Sequence, residues 1–512
     1  MICSDFLISV LPETVIPLIA IFSPVICSVL IVMFKNHPNL REGWTIITSV
    51  ICCVSILSLI PFILKDGTIS LSLFTIFPGI DYAYHVDAFG LIFALTSSLL
   101  WIIVSFYSIG YMRSLNEHNQ TRFYFFFALA MFSTIGVAFS RNLVTMYIHY
   151  ELLSLFTYPL VAHEETREAL SAGRKYLVYM ITSGCFLLAA TLVTYWLTGT
   201  TDFTYSGIIT INSASKIVLQ SLFVIFILGF MKAAYMPFHS WLPTAMVAPT
   251  PVSALLHAVA VVKAGVFGII RVVCYIYGIN LIQELGLGVI LACFISFTVI
   301  VANLFAIRED NLKKRLAYST INQLAFIILG ASLLSPLSLK GSMIHIFFHA
   351  FMKITLFMCA GTITAITGMK YISEMKGIGK AMPITSISFI IGALGMCGLP
   401  PAAGFISKWF IGLGAIDSGY TIFLFVILIA SLLDAVYFFP IIWTILFDEL
   451  DKGNFDKIKT KIKDNKISVT LMVLPLLITA IASVLFFIFP DTLGVLNLAD
   501  IAVNNLFCIY GG

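Results

Sequence analysis

The sequence predicts an all-α polytopic membrane protein with about fourteen transmembrane helices. Of its 512 residues, 60% are hydrophobic and only 11% are charged, and the mean hydropathy is +1.03. These values exclude an ordinary soluble domain. Apolar runs long enough to cross a bilayer recur along the whole chain, with short polar segments between them.

The apolar runs define fourteen predicted spans. In order, they are 13–34, 44–64, 87–112, 122–140, 143–162, 175–198, 217–236, 252–278, 280–307, 316–335, 341–367, 383–413, 420–447 and 468–489. The twelfth contains a break at Pro400 and Pro401. The charged stretch from Phe447 to Lys466 is predicted to be a solvated cytoplasmic connection.

Basic residues indicate the orientation of these spans. Of the 29 Lys and Arg residues, twenty lie in loops after odd-numbered spans, five lie on the other side and four lie within spans. The positive-inside rule therefore places the odd loops in the cytoplasm. Both termini are then on the non-cytoplasmic side of a multi-pass protein, which we expect in the cell inner (plasma) membrane.

The segment from Phe230 to Arg271 combines prolines with embedded lysines. Lys232 lies in the seventh span, and Pro237 follows it. Hydrocarbon offers no partner for a freed backbone carbonyl or for an ammonium group, so such a break needs neighbouring helices or water. An interrupted helix beside a buried lysine is typical of an ion site. The alternative is a kinked helix whose lysine extends to the membrane surface.

The twelfth span repeats these features in the opposite order, because its prolines precede Lys408. It lies five positions after the seventh span, which suits an inverted repeat of about five helices with interrupted seventh and twelfth helices. The predicted domains are residues 1–121 with spans one to three, 122–279 with the first repeat, 280–447 with the inverted second repeat, and 448–512 with the cytoplasmic loop and span fourteen.

A carboxylate and a polar stripe are also embedded. Glu151 lies near the middle of the fifth span, where an unpaired charge costs roughly 3 kcal/mol; the alternative is a neutral acid bonded to a hydroxyl. His345, His349 and Lys353 are spaced by four and share one face of the eleventh span. Paired histidines also occur in zinc sites, but the acidic residues that complete such sites are missing here. Structural histidines bonded to carbonyls are the other interpretation.

Six ionisable residues lie inside the predicted spans. They are Glu151, Lys232, Lys263, Lys353, Lys408 and Asp434. Their exposure to lipid would cost on the order of 18 kcal/mol, more than the whole stability of a typical domain. They must therefore meet one another or water inside the bundle. We expect Glu151 and Lys232 to form the primary functional pair, and Lys408 to be the terminal carrier on the outward side.

Asp434 is the least expected of these residues, because nothing nearby in the sequence neutralises it. It is predicted to pair with Lys408 or Lys353, since two unpartnered buried charges are more costly than a pair. The alternative is a protonated acid bonded to a carbonyl.

Several motifs accompany these residues. They are the acid of span five, the lysine of span seven, and the segments PFHSWLP, HAVAVVKAGV, KKRLAYSTINQ, HAFMK and GLPPAAGFISK. Together they resemble the antiporter-like subunits shared by Mrp-type cation/proton antiporters, respiratory complex I and membrane-bound hydrogenases. The resemblance covers nearly the whole chain, from Leu11–Glu13 to the last spans.

The resemblance implies a fourteen-helix fold with two inverted five-helix repeats and a central proton path. It places proton translocation at Glu151, Lys232, Lys263 and Lys408, and further polar positions of the axis at His257, His345, His349 and Lys353. No redox cofactor and no metal are implied. Asp434 departs from the small or apolar residue typical of its position, and its role is left open, as is that of His239 in PFHSWLP.

The predicted function is proton translocation by a membrane subunit of a multisubunit monovalent cation/proton antiporter. The chain length and Lys408 favour the Mrp D-type branch. A translocase subunit of NADH-quinone oxidoreductase (complex I) or a hydrogenase membrane arm is the alternative. A self-contained solute transporter and a silent scaffold are less favoured.

The expected partners are other membrane subunits, protons, a monovalent cation such as sodium, and lipid, with no nucleic acid. We expect no redox or hydrolytic site within the chain, whose ten cysteines form no C-x-x-C pair.

Overall fold

Helices form most of the chain in the computed structural model, which describes residues 14–65, 67–254 and 260–507. The principal helices are α1 (Val15–Met33), α2 (Pro38–Ile63), α3 (Ala88–Ser114), α4 (Gln120–Ala138), α5 (Leu143–Val161), α6 (Arg167–Thr198), α7 (Lys216–Gly229), α8 (Val261–Arg271), α9 (Leu287–Arg308), α10 (Leu312–Ser332), α11 (Pro336–Thr367), α12a (Pro383–Cys397), α12b (Gly404–Asp417), α13 (Ile422–Leu446), α14 (Lys466–Ile488) and α15 (Val495–Phe507). Labels α1 to α14 follow the order of the predicted spans, each of which contains helix.

Polar residues at the helix starts explain several boundaries. Asp87, Asn142, Thr166 and Asn311 precede α3, α5, α6 and α10, and each side chain accepts a hydrogen bond from a backbone N–H in the first turn. The first N–H groups of a helix have no partner within the helix, so these side chains satisfy donors that hydrocarbon would leave unpaired. Hydropathy alone does not show these caps.

The prediction of an all-α protein is wrong in one region. Strand β1 (Ile69–Phe77) pairs antiparallel with β2 (Ile80–Val86), and Gly79 in the tight turn between them has a φ of +80°. The hydroxyl groups of Tyr82 and Tyr84 lie 2.9 and 2.8 Å from Nε2 of His149. The hairpin is therefore fixed to α5 by two tyrosines on one face of a strand.

Helix α11 lies at the centre of the bundle. Its most apolar 18-residue window is 100% buried, and the helix packs against α3, α10, α12a, α12b, α14 and α15. A membrane helix surrounded by other helices keeps its polar side chains away from lipid. The stripe of His345, His349 and Lys353 on α11 is accordingly fully buried.

The predicted interruptions of the seventh and twelfth helices are present. Helix α7 ends at Gly229 and a 3-10 turn, Met231–Ala233, follows it; α12a and α12b are separated by residues 398–403. The eighth span is irregular as well, because α8 continues into a π-helical segment, Val272–Tyr277. Inside a membrane, irregular backbone is tolerated only where protein or water covers it.

Nine helices in the described ranges are long and apolar enough to cross a membrane, and α7, α12a and α15 are shorter apolar helices. The charged connection contains a helix, Lys452–Asp464, which carries lysines along its surface. Helix α15 lies beyond the last predicted span. It packs against α3 and α11 and thus adds to the core.

Gly265 permits the contact between α8 and the turn that carries Lys232. A Cβ at this position would lie 2.3 Å from the backbone nitrogen of Ala233. Gly265→Ala is expected to lower the free energy of unfolding by about 1 to 3 kcal/mol, because backbone must move to accept the methyl group. Denaturation in detergent micelles measures the change. Gly43→Ala is the matched control, since nothing lies within 4 Å of a Cβ there, and equal stability of the two variants would contradict the expectation.

Candidate functional site

Four polar side chains connect α8, α11 and α10 in the protein core. Lys263 Nζ lies 2.7 Å from Nδ1 of His349, whose ring stacks on that of His345 with centroids 5.6 Å apart. Nε2 of His345 lies 3.1 Å from Oε1 of Gln323. All four residues are fully buried. His345 and His349, which were predicted to share a helix face, therefore lie between Lys263 and the amide of Gln323.

The amide of Gln323 determines the tautomer of His345. Its nitrogen faces two acceptors, Oδ2 of Asp434 at 2.9 Å and the carbonyl of Met396 at 3.4 Å. Its oxygen consequently faces His345, so Nε2 of that ring must carry the hydrogen. Nδ1 of His345 lies 2.7 Å from the Ser407 hydroxyl, which can donate to it.

Asp434 accepts four hydrogen bonds and forms an ion pair with Lys408. Its oxygens receive Asn322 Nδ2 at 2.9 Å, Gln323 Nε2 at 2.9 Å, the Tyr437 hydroxyl at 2.6 Å and Lys408 Nζ at 3.0 Å. An ionised carboxylate has about four acceptor positions and no donor. The structure thus confirms the predicted pairing with Lys408. The alternative of a protonated acid bonded to a carbonyl is wrong, because every partner is a donor.

Six residues thus form a continuous sequence of contacts, which we call the buried line. They are Lys263, His349, His345, Gln323, Asp434 and Lys408. The line crosses from α8 to α12b through α11, α10 and α13. It brings together two of the four predicted translocation residues, two of the predicted axis residues and Asp434.

Lys408 ends the buried line beside a cavity. Its Nζ also donates to the carbonyl of Met396 at 2.7 Å and lies 3.2 Å from the Ser431 hydroxyl. Met396 is in the last turn of α12a, where carbonyl groups lack helical partners and favour a cation. The side chain is 6% exposed and lines a cavity of about 570 Å³ that is otherwise mostly apolar. Lys408 does not extend into lipid.

Lys353 shares the face of His345 and His349 but stays outside the buried line. Its Nζ is buried and has no hydrogen-bond partner among the described residues. The same holds for Nε2 of His349. Within the described ranges, these two histidines form no three-ligand group with an acidic residue or a cysteine.

The break after α7 is satisfied by side chains from neighbouring helices. Ser183 accepts from the N–H of Met231 at 3.2 Å and donates to the carbonyl of Gly229 at 2.6 Å. Trp241 Nε1 donates to the carbonyl of Met231 at 3.1 Å, and the Tyr235 hydroxyl donates to that of Ile227 at 2.6 Å. Backbone groups freed by the break are therefore paired without exposure to lipid.

Lys232 lies in this break, but it does not contact Glu151 directly. Its Nζ donates to the backbone carbonyl of Tyr150 at 2.6 Å and lies 3.0 Å from the centre of that tyrosine ring. Glu151 packs against Gly184, and its Oε1 has no hydrogen-bond partner among the described residues. In place of the predicted Glu151–Lys232 ion pair, Lys232 thus donates a hydrogen bond to the carbonyl of Tyr150, the residue before Glu151.

The remaining predicted residues lie apart. His239 is half-buried near the rings of Phe305 and Tyr318, with no hydrogen bond to the buried line. His257 lies outside the described residues. No hydrogen bond among the described residues joins Lys232 to Lys263.

The sequence analysis did not predict the buried ion pair between Arg271 and Asp87. Arg271 donates from both terminal nitrogens to Asp87, each at 2.6 Å, and both side chains are at most 3% exposed. The guanidinium also lies 4.5 Å from the centre of the Tyr275 ring. The count of basic residues placed Arg271 on the non-cytoplasmic side, because this residue lies towards the end of an apolar run. The sequence offered one indication of a partner for Arg271, the acid Asp87 at the start of span three.

The fold and these contacts define a polytopic helical membrane protein whose core carries hydrogen-bonded ionisable side chains across several helices. Residues 140–434 match the family model described as NADH:quinone oxidoreductase/Mrp antiporter, TM. The chain belongs to this family of transmembrane subunits.

Curated relatives include both branches of the family. The N-type subunit of an NADH-quinone oxidoreductase from Desulforudis audaxviator is 31% identical over 353 residues, covering 67% of this chain and 70% of that protein. The A-type subunit of a Na⁺/H⁺ antiporter from Alkalihalophilus pseudofirmus is 32% identical over 414 residues, covering 76% of this chain and 50% of the relative. The chain thus spans about half the length of that antiporter protein.

Two solved membrane complexes contain chains with the same fold. A chain of the Mrp complex from Dietzia sp. superposes with a TM-score of 0.84 at 18% identity, and 97% of each chain is covered. A chain of the membrane-bound sulfane sulfur reductase, an archaeal respiratory membrane complex, gives a TM-score of 0.80 at 24% identity, with 96% of each chain covered.

Proposed function

We propose that this protein is the proton-translocating membrane subunit of a multisubunit monovalent cation/proton antiporter. The observation that carries the proposal is the buried line, in which two lysines, two histidines and one carboxylate contact one another through a single amide. Ionisable residues are rare inside membrane helices and mark ion or proton pathways. Membership of a family that includes Mrp antiporter subunits supports the same function.

In this proposal, Lys408 and Lys263 are the two ends of one proton-transfer unit. His349 shares a hydrogen bond with Lys263 through Nδ1. The rings of His349 and His345 are stacked rather than hydrogen-bonded, so transfer between them requires a water molecule, and His345 then donates to the amide oxygen of Gln323. A carboxamide does not itself carry a proton, so transfer past Gln323 requires its rotation or a water molecule. Asp434 holds the Lys408 ammonium in place through an ion pair of 3.0 Å.

Glu151 and Lys232 form the second unit. In one arrangement the Lys232 ammonium would face the Glu151 carboxylate; in the other it donates to the carbonyl of Tyr150, as in the structure. Alternation between these arrangements would allow Lys232 to take up a proton and pass it on towards Lys263. Lys353, with no partner for its Nζ in the described residues, is the proposed reserve site beside the line.

The proposed architecture has fourteen membrane spans and both termini outside. Residues 122–279 and 280–447 form two inverted repeats, and the lysines at the breaks of the seventh and twelfth helices support that division. The proposed partners are further membrane subunits, because the two structural matches are chains of membrane complexes. The proposed ions are protons and a monovalent cation such as sodium.

A proton-pumping subunit of a respiratory complex is the second candidate. It is supported by the 31% identity with the N-type subunit of an NADH-quinone oxidoreductase. The two functions differ in their driving reaction. In everted membrane vesicles that contain the complete complex, the vesicle interior should acidify on addition of NADH if the protein belongs to a respiratory complex. If it belongs to an antiporter, a preformed pH gradient should collapse on addition of Na⁺.

Lys263→Met tests the proposal in the same vesicles. We expect Na⁺-driven proton movement to fall at least tenfold, because the buried line loses its first ionisable group while the side-chain volume is kept. Lys340→Met is the matched control, since it removes a lysine that lies outside the buried line and pairs with Asp500, whose side chain is 45% exposed. Unchanged proton movement in Lys263→Met, with normal amounts of the complex, would contradict the proposal.

A further inference from the structure

Three potential metal ligands meet at one end of the bundle, away from the buried line. They are Glu117 and His118, in the loop between α3 and α4, and His163, just after α5. One donor atom from each residue lies within 4.8 Å of the other two. The loop and the end of α5 are far apart in the sequence, so no spacing motif reveals them.

His163 is the residue that points to a ligand. It is 0% exposed, and neither Nδ1 nor Nε2 has a hydrogen-bond partner among the described residues. A buried polar group without a partner is costly, and both nitrogens of one ring are affected here. Its ring stacks on that of His118, with centroids 5.1 Å apart, and meets the edge of Phe123. The unpaired ring therefore faces a second imidazole.

The other two ligands are placed to close on a cation. The Glu117 carboxylate lies 3.8 Å from Nδ1 of His118, and the two side chains are 18% and 44% exposed. Tetrahedral zinc, with bonds of about 2.0 to 2.2 Å, holds its ligand atoms roughly 3.4 Å apart. Contraction from 4.8 Å would be made by rotation of the Glu117 and His118 side chains, which reach the surface, with loss of the stacking between His118 and His163. His163 can stay where it is.

Nearby charges are compatible with a bound cation. The guanidinium of Arg122 donates to the backbone carbonyl of His163 and forms an ion pair with Glu165, which offsets part of its positive charge. The carboxylates of Glu117 and Glu164 repel each other, and a cation between the loop and the end of α5 would reduce that repulsion.

We propose that Glu117, His118 and His163 bind one divalent transition-metal cation of the zinc type, with water in the remaining position. Two imidazoles and one carboxylate suit zinc, and three protein ligands leave a coordination position open. The bound cation would join the α3–α4 loop to the end of the helix that carries Glu151. The site lies outside the buried line and does not depend on the proposed function.

The test uses the full-length protein, purified in detergent and stripped with a chelator. Titration with Co²⁺ is expected to give one saturable site per chain with the absorption bands of a tetrahedral complex, and Zn²⁺ should displace the cobalt. Zn²⁺ should also raise the Tm of the wild type, because a ligand that binds only the folded state stabilises it.

His118→Ala and Glu117→Gln are the decisive variants, since both residues reach the surface and their replacement leaves the core intact. Each should weaken Co²⁺ binding at least tenfold and abolish the Zn²⁺-dependent rise in Tm. His37→Ala is the matched control, an exposed histidine in the loop between α1 and α2, and should bind as the wild type does. Absence of a saturable site, or equal affinity in His118→Ala and His37→Ala, would overturn the proposal.

Discussion

Asp434→Leu is expected to lower the free energy of unfolding by about 3 to 5 kcal/mol and to abolish proton movement. The substitution leaves the ammonium of Lys408 buried without its counter-ion, and breaking a buried pair from one side has a cost of this size. Asn322 and Tyr437 also lose their acceptor, and Gln323 loses one of its two. Denaturation in mixed micelles and Na⁺-driven proton movement in everted vesicles measure the two effects.

A double variant separates the structural from the functional role of this pair. Lys408→Met with Asp434→Leu removes both charges, and replacing a buried ion pair by apolar residues is often neutral for stability. We therefore expect the double variant to recover most of the lost stability but none of the proton movement. Asp500→Leu is the control, because its pair with Lys340 is 45% exposed at the acid. Recovery of proton movement in the double variant would show that the pair is only structural.

Glu151→Gln and Lys232→Ala are expected to reduce proton movement to the background of vesicles without the complex. Glutamine at position 151 keeps the shape that packs against Gly184. It cannot take up or release a proton, and it carries no charge to attract the Lys232 ammonium. Ala removes the only ammonium near Tyr150 in the described residues. Both proteins should assemble in normal amounts, since the break after α7 is satisfied by Ser183 and Trp241 rather than by the lysine.

Tyr150→Phe is the matched control for this pair. Lys232 bonds to the backbone carbonyl of Tyr150 and faces its ring, both of which phenylalanine keeps, and the tyrosine hydroxyl has no partner among the described residues. Proton movement should therefore be unchanged. If Glu151→Gln or Lys232→Ala also moved protons at the wild-type rate, the assignment of the primary pair would be wrong.

Much of the fold follows from hydropathy and proline positions. Long apolar runs predicted the helices, and Pro237 and Pro400 marked the interrupted ones, because freed backbone groups restrict where a membrane helix can break. The β-hairpin was missed since ISLSLFTIF is short and lies between two stronger apolar signals. Helix α15 was missed for a similar reason, as its apolar stretch is shorter than a bilayer span.

The site was predictable as a set of residues but not as a set of contacts. The high cost of a lone charge in lipid identified Glu151, Lys232 and Asp434 without any coordinates. Which partner each one meets depends on side-chain rotation, so the bond from Lys232 to the carbonyl of Tyr150 was not foreseen. Gln323 lay in a recognised motif, yet its amide gained a role only when α10, α11 and α13 were placed together.

The Lys408–Asp434 and Arg271–Asp87 ion pairs differ in how they form during biosynthesis. Lys408 and Asp434 are 26 residues apart on successive helices, so α12b and α13 can leave the translocon as a neutral hairpin. That avoids an insertion cost of roughly 3 kcal/mol for each charge. Asp87 and Arg271 are 184 residues apart, and Asp87 has no such partner until α8 is made. The N-terminal pair can therefore form only after α8, the fifth helix to follow α3, has been made.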